Sequence, residues 1–104
     1  MPKYVYAYHG GSMAETEEEM AELMAAWGAW FEALGEHLVD GGNPISVAKT
    51  VQTDGSVTDG GGSNPLSGYG IVNAADIDAA AEMAKGCPVL AAGGTVEVAE
   101  AIDM

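Results

Sequence analysis

Arginine is absent from this chain of 104 residues, and only three lysines (Lys3, Lys49, Lys85) stand against sixteen acids, a formal net charge of −13. The missing guanidinium removes the planar fork that usually clamps phosphates and carboxylates. An excess of negative charge repels nucleic-acid backbones and anionic lipid, so neither nucleic acid nor a membrane is an expected partner. Cysteine occurs once, at Cys87, which excludes an intrachain disulfide and fits a reducing, cytoplasmic setting. Long apolar runs are lacking too. The first ten residues, MPKYVYAYHG, carry one lysine and a short apolar stretch, which fits neither a secretory signal nor an anchor. Two histidines and one cysteine at unrelated spacings make no zinc signature, and no loop spaces its carboxylates for calcium. The glycine-rich stretch 59–63 has no GxxxxGK[ST] pattern and no neighbouring cation for a phosphate. No metal and no cofactor is expected.

What is present is apolar: 48% of the residues are hydrophobic, enough for one core, and residues 1–104 read as one domain. KYVYAYH reads as a strand closed by Gly10-Gly11. Met20, Leu23, Met24, Trp27, Trp30, Phe31, Leu34 and Leu38 recur at steps of three and four, which predicts a long amphipathic helix. Ser12 with Glu15, or Thr16 with Glu19, opens it as a capping box, and Gly35 stops it. Gly28 lies on its apolar side and reads as a point of close backbone approach. PISVAKTVQ is the second predicted strand, and TDGS marks a tight turn after which Val57 pairs back. SGYGIVNA is the third. Asp76 caps a second helix, IDAAAEMAK, which Gly86 ends and Pro88 keeps from continuing. GTVEVAEAIDM is the last strand.

This order predicts an α+β, ferredoxin-like βαββαβ fold, a four-stranded antiparallel sheet with both helices on one face. Tyr4, Tyr6 and Tyr8 point one way and Val5 and Ala7 the other; Tyr69 and Ile71 oppose Gly70, Val72 and Ala74. Both faces are thus apolar or small, where a wet face would alternate to charge. Four strands at about 4.8 Å spacing and roughly 20 Å length make a face of roughly 400 Å². Hiding it against a copy is worth on the order of 10 kcal/mol before association costs. A homodimer through the sheet faces, enclosing a barrel-like cavity, is expected. Tyrosines on such a sheet also suit base stacking, but an RNA platform needs surrounding cations, and Lys3 stands alone near the first strand.

In order and spacing, YVYAYHG, MAAWGAWFEALGEHLVDGGNP, SGYGIVNAADIDAAAEMAKGCP and GGTVEVAEAIDM resemble the YCII-related (DGPF-type) family over essentially the whole chain. The resemblance implies a ferredoxin-like, dimeric α/β-barrel fold and a largely uncharacterised function, with a histidine–aspartate pair in a cleft of some relatives. The family tetrapeptide falls at Asp59-Gly60 but continues here with Gly61-Gly62, so only Asp59 and Gly60 carry over. No histidine stands among EEMAELMAAWGAW, where some relatives have one in the first helix.

His9 ends the first strand beside two glycines and suits proton transfer if a carboxylate orients it. Asp59 is the expected carboxylate, though Asp before Gly is also ordinary turn chemistry. Tyr69, Ser67 and Gly60 are the expected pocket lining. His37 reads as a solvated helix-end residue, Lys49 as half of a surface ion pair, and Cys87 as a packed small hydrophobe. The reading is a small-molecule-binding homodimer with room for non-metal acid–base chemistry, isomerisation or elimination; the alternative is a non-catalytic dimeric module that senses a ligand or binds a protein. Self-repulsion at −13 is relieved by screening. Raising sodium chloride from low to molar concentration should therefore raise the melting temperature, followed by circular dichroism.

Overall fold

Alternation along the first strand fixes the layers. Tyr4, Tyr6 and Tyr8 are 2%, 0% and 5% exposed and point toward the helices, whereas Val5 and Ala7 face away and stay half-buried. The computed structural model describes residues 1–103. Its elements are β1 (Lys3–His9), α1 (Glu17–Leu34), β2 (Leu38–Asp40), β3 (Lys49–Val51), β4 (Val57–Asp59), β5 (Leu66–Asn73), α2 (Ile77–Ala84), α3 (Pro88–Ala91) and β6 (Thr95–Ala101). The four-stranded sheet runs β2-β5-β1-β6, with β1 antiparallel to both its neighbours, and the helices cover one face. The expected α+β arrangement is present; the single chain forms no closed barrel. Among the described residues no helix is long and apolar enough to cross a membrane, and no cluster of His, Cys, Asp and Glu could hold a metal.

The core is an aromatic stack between the layers. Tyr6 stacks on Trp30 at 5.9 Å, Tyr8 meets Trp27 edge-on at 5.2 Å, and Phe31 joins both tryptophans. The Tyr6 hydroxyl donates to the Ala80 carbonyl and the Trp30 indole to that of Met83, so the aromatics also tie α2 to α1 and the sheet. Thr16 caps α1 by accepting from the Glu19 amide at 3.0 Å, and Gly35 ends the helix with φ 55°. Asp76 caps α2 through the Ala79 amide at 2.8 Å.

Several expectations are corrected. The second strand of the sheet is Leu38–Asp40, followed by a Pro44–Gly68 bridge, and not PISVAKTVQ. That segment yields only Lys49–Val51, which pairs with Val57–Asp59 in a separate two-stranded ribbon. The reason lies at Gly42, where φ is 71° and a Cβ would sit 1.7 Å from the Tyr69 carbonyl oxygen. The chain hugs β5 there, and the Tyr69 and Ile45 amides donate to the Asn43 and Ser67 carbonyls. Met20 and Met24 are 48% and 65% exposed, because α1 makes core contact mainly through its second half, from Trp27 to Leu34. Nothing approaches Gly28, so it is no point of close contact. Pro88 begins α3 at its first turn as well as following α2. The His37 Nδ1–H donates to the Asn73 carbonyl at 3.0 Å, fastening the end of α1 to β5.

Opposite signs are expected at the two glycines. Gly28→Ala should raise unfolding stability by about 0.8–1 kcal/mol. Gly42→Ala should lower it by about 3 kcal/mol or more, since backbone must move. Urea unfolding of the two variants measures both.

Candidate functional site

Strand register assembles the site on the face of the sheet that the helices leave bare. Ala7 of β1 lies directly between Tyr69 of β5 and Glu97 of β6. Directly paired residues project from one side, so the small side chain of Ala7 lies between a phenol and a carboxylate. His9, two residues along β1, is only 7% exposed. Its Nε2 stands 3.2 Å from Glu97 Oε1, whereas its Nδ1–H donates to the carbonyls of Asn64 at 3.0 Å and Pro65 at 3.2 Å. With Nδ1–H held by two carbonyls, Nε2 is the nitrogen turned toward Glu97, whose side chain is 66% exposed.

Several features hold His9 there. Gly10 and Gly11, with φ 72° and 96°, turn the chain out of β1, and Gly94 passes beneath, where a Cβ would meet the His9 carbonyl oxygen at 2.6 Å. A bulge between β1 and β5 leaves Ser67 as the extra residue beside His9. The glycine-rich loop does reach His9, but through the Asn64 and Pro65 carbonyls.

Asp59 is placed elsewhere within the chain. It sits on β4 of the ribbon, 2.6 Å from Lys49 Nζ, and makes no hydrogen bond or ion pair with His9. Gly60 lies at the root of that ribbon, its amide donating to the Ala48 carbonyl and its carbonyl accepting from Thr50. Of the expected lining, Tyr69 pairs with Ala7, its hydroxyl accepting from Asn43 Nδ2 at 3.3 Å, and Ser67 lies at the bulge beside His9. Glu97 escaped the sequence reading. Its signal was there: in TVEVAEA it alternates with Val96 and Val98, so it faces the side that Ala7 faces.

Two concavities lie among the helices instead. One, of about 1010 Å³, runs between α1 and α3 over Leu23, Trp30 and Leu90; the other, of about 170 Å³, lies between α2 and β6. Neither is lined by His9, Asp59, Tyr69, Ser67 or Gly60. Cys87 is buried as expected, and burial pushes its thiol up to about 11, far from a nucleophile's range.

The family model of the YCII-related domain matches residues 3–104. The chain belongs to the YCII-related family. No curated protein matches it. In this YCII-related domain the bare face brings together a buried imidazole, an exposed carboxylate and a phenol around Ala7.

Burial also pushes the Tyr6 hydroxyl up to about 12 and raises that of Tyr8 further. The fold holds these groups and Cys87 protonated, while the unfolded chain releases its protons first. Their contribution is complete below about pH 8, where the unfolded thiol begins to ionise, and is lost as pH rises toward 12. Chemical unfolding between pH 8 and 11.5 should show stability falling with pH, with Cys87 inert to thiol reagents until the chain unfolds.

Proposed function

We propose that this YCII-related protein is a cytoplasmic homodimer that binds a small molecule between the bare sheet faces and moves a proton on it with His9. The observation carrying the reading is the His9–Glu97 pair above Ala7, on the one face the helices leave uncovered. Val5, Ala7, Tyr69 and Ile71 on that face are neither fully wet nor buried, which suits a surface closed by a second copy. Enclosure would strengthen every electrostatic contact of the pair by excluding water. A neutral Nε2 takes a proton from carbon, Glu97 stabilises the resulting imidazolium, and the proton returns at another atom or leaves with a departing group. Isomerisation and elimination both fit, and neither asks for a metal. Asp59 joins a His9 in this scheme only from the partner copy.

The second reading is a non-catalytic dimeric module. The observation behind it is that the concavities between α1 and α3 and between α2 and β6 are lined by residues other than His9. A thermal-shift screen of small metabolites, followed by NMR of each hit incubated with the protein, separates the two. Turnover that falls by about 10²–10⁴-fold in His9→Gln, with binding retained, establishes the acid–base role. Binding without turnover by the wild-type protein establishes the module, and turnover untouched in His9→Gln removes the histidine from the mechanism.

A further inference from the structure

The ribbon formed by β3 and β4 stands outside the two-layer body. Of its six strand residues only Thr50 is even half-buried. Val51 pairs directly with Val57 on one side of it, and these side chains are 69% and 56% exposed; Val47, at its approach, is 82% exposed. Two antiparallel strands alone are marginally stable in water, and three open valines add nothing to an isolated chain. Yet the ribbon is tightly built. Gln52 and Ser56 close its turn, Asp54 accepts from the Ser56 amide and hydroxyl, and the root is fastened by Gly60 to Ala48 and Thr50. The molecule is accordingly flat and broad, 43 × 42 × 18 Å, with a radius of gyration of 14.9 Å against about 13 Å for a rounded chain of this length.

We infer that this ribbon is a clasp whose valine side packs against a second copy of the chain, extending the contact between the bare sheet faces. The inference rests on the homodimer of the preceding subsection. Area argues for it. Two sheet faces of roughly 400 Å² total about 800 Å², the scale of crystal contacts and short of a specific interface. A ribbon about 10 Å wide and roughly 20 Å long adds about 200 Å² per copy and brings the total to about 1,200 Å², where specific interfaces begin. Charge selects the same surfaces. Ten of the sixteen acids (Glu15, Glu17, Glu18, Glu19, Glu22, Glu32, Glu36, Asp76, Asp78 and Glu82) fall in or beside α1 and α2. Two copies meeting helix to helix would repel. The ribbon pairs Asp59 with Lys49 and carries Asp54 at its turn, and the bare face carries Lys3 and His9 beside Glu97. Contact through face and ribbon therefore brings together the least negative parts of two acidic molecules.

Sedimentation equilibrium of the wild-type chain and of Val51→Asp/Val57→Asp tests this. The clasp predicts a wild-type dimer at micromolar concentration and at least about 100-fold weaker association in the variant, with the near-ultraviolet dichroism of Trp27 and Trp30 unchanged. Should the charged variant lose that dichroism, Val51→Ser/Val57→Ser is read by the same measure. A wild-type dimer whose affinity the ribbon variants leave within about threefold overturns the clasp and leaves the face-to-face dimer standing. A wild-type monomer overturns both.

Discussion

The body of the protein depends on aromatic rings lying over glycine. Tyr8 crosses β5 where that strand has no side chains: a Cβ at Gly68 would come within 3.1 Å of its ring and one at Gly70 within 2.9 Å of its hydroxyl. Trp30 lies in the same way over Gly86, at 3.1 Å. These missing side chains let large rings sit flat against backbone, so a small core reaches the density a two-layer domain needs. The tyrosines occupy every helix-facing position of β1, and the opposite positions fall to Lys3, Val5, Ala7 and His9. One alternation thus produces both the core and the floor of the candidate site.

Most of the architecture was legible because it follows from local chemistry. Asp76, Gly35, the TDGS turn and the tyrosine alternation each have one sensible structural use, and each is found in it. What was not legible involves choices between long-range partners. Leu38 continues the spacing of the α1 stripe, so periodicity alone assigns it to the helix; only pairing with Val72 makes it strand. PISVAKTVQ has the composition of a central strand, but Gly41-Gly42 let the chain turn along β5 first, and that edge was already filled. Gly28 was misread because the face of a helix can be inferred from its neighbours, whereas how far the sheet extends beneath it cannot.

The candidate site divides along the same line. His9 and Tyr69 were visible as polar or aromatic residues beside glycines. Glu97 was hidden by two valines, since a carboxylate in an edge strand looks like ordinary solvation until register sets it opposite Ala7. The loop that carries Asp59 comes to His9 through backbone carbonyls. Sequence motifs draw attention to ionisable side chains, and here Asn64 and Pro65 orient the imidazole with groups that every residue possesses.

The position of β6 at the rim of the sheet carries one more implication. An unpaired rim offers free amides and carbonyls to any extended chain, the first step toward fibrous stacking. Glu97 and Glu100 stand on opposite sides of that strand, because Glu97 pairs across from Ala7 and Glu100 from Tyr4. A copy sliding in by its own equivalent strand would bury like charges whichever way it tilted. The carboxylate beside the His9 imidazole thereby also serves as a gatekeeper, and a neutral residue in its place would loosen the guard against polymerisation.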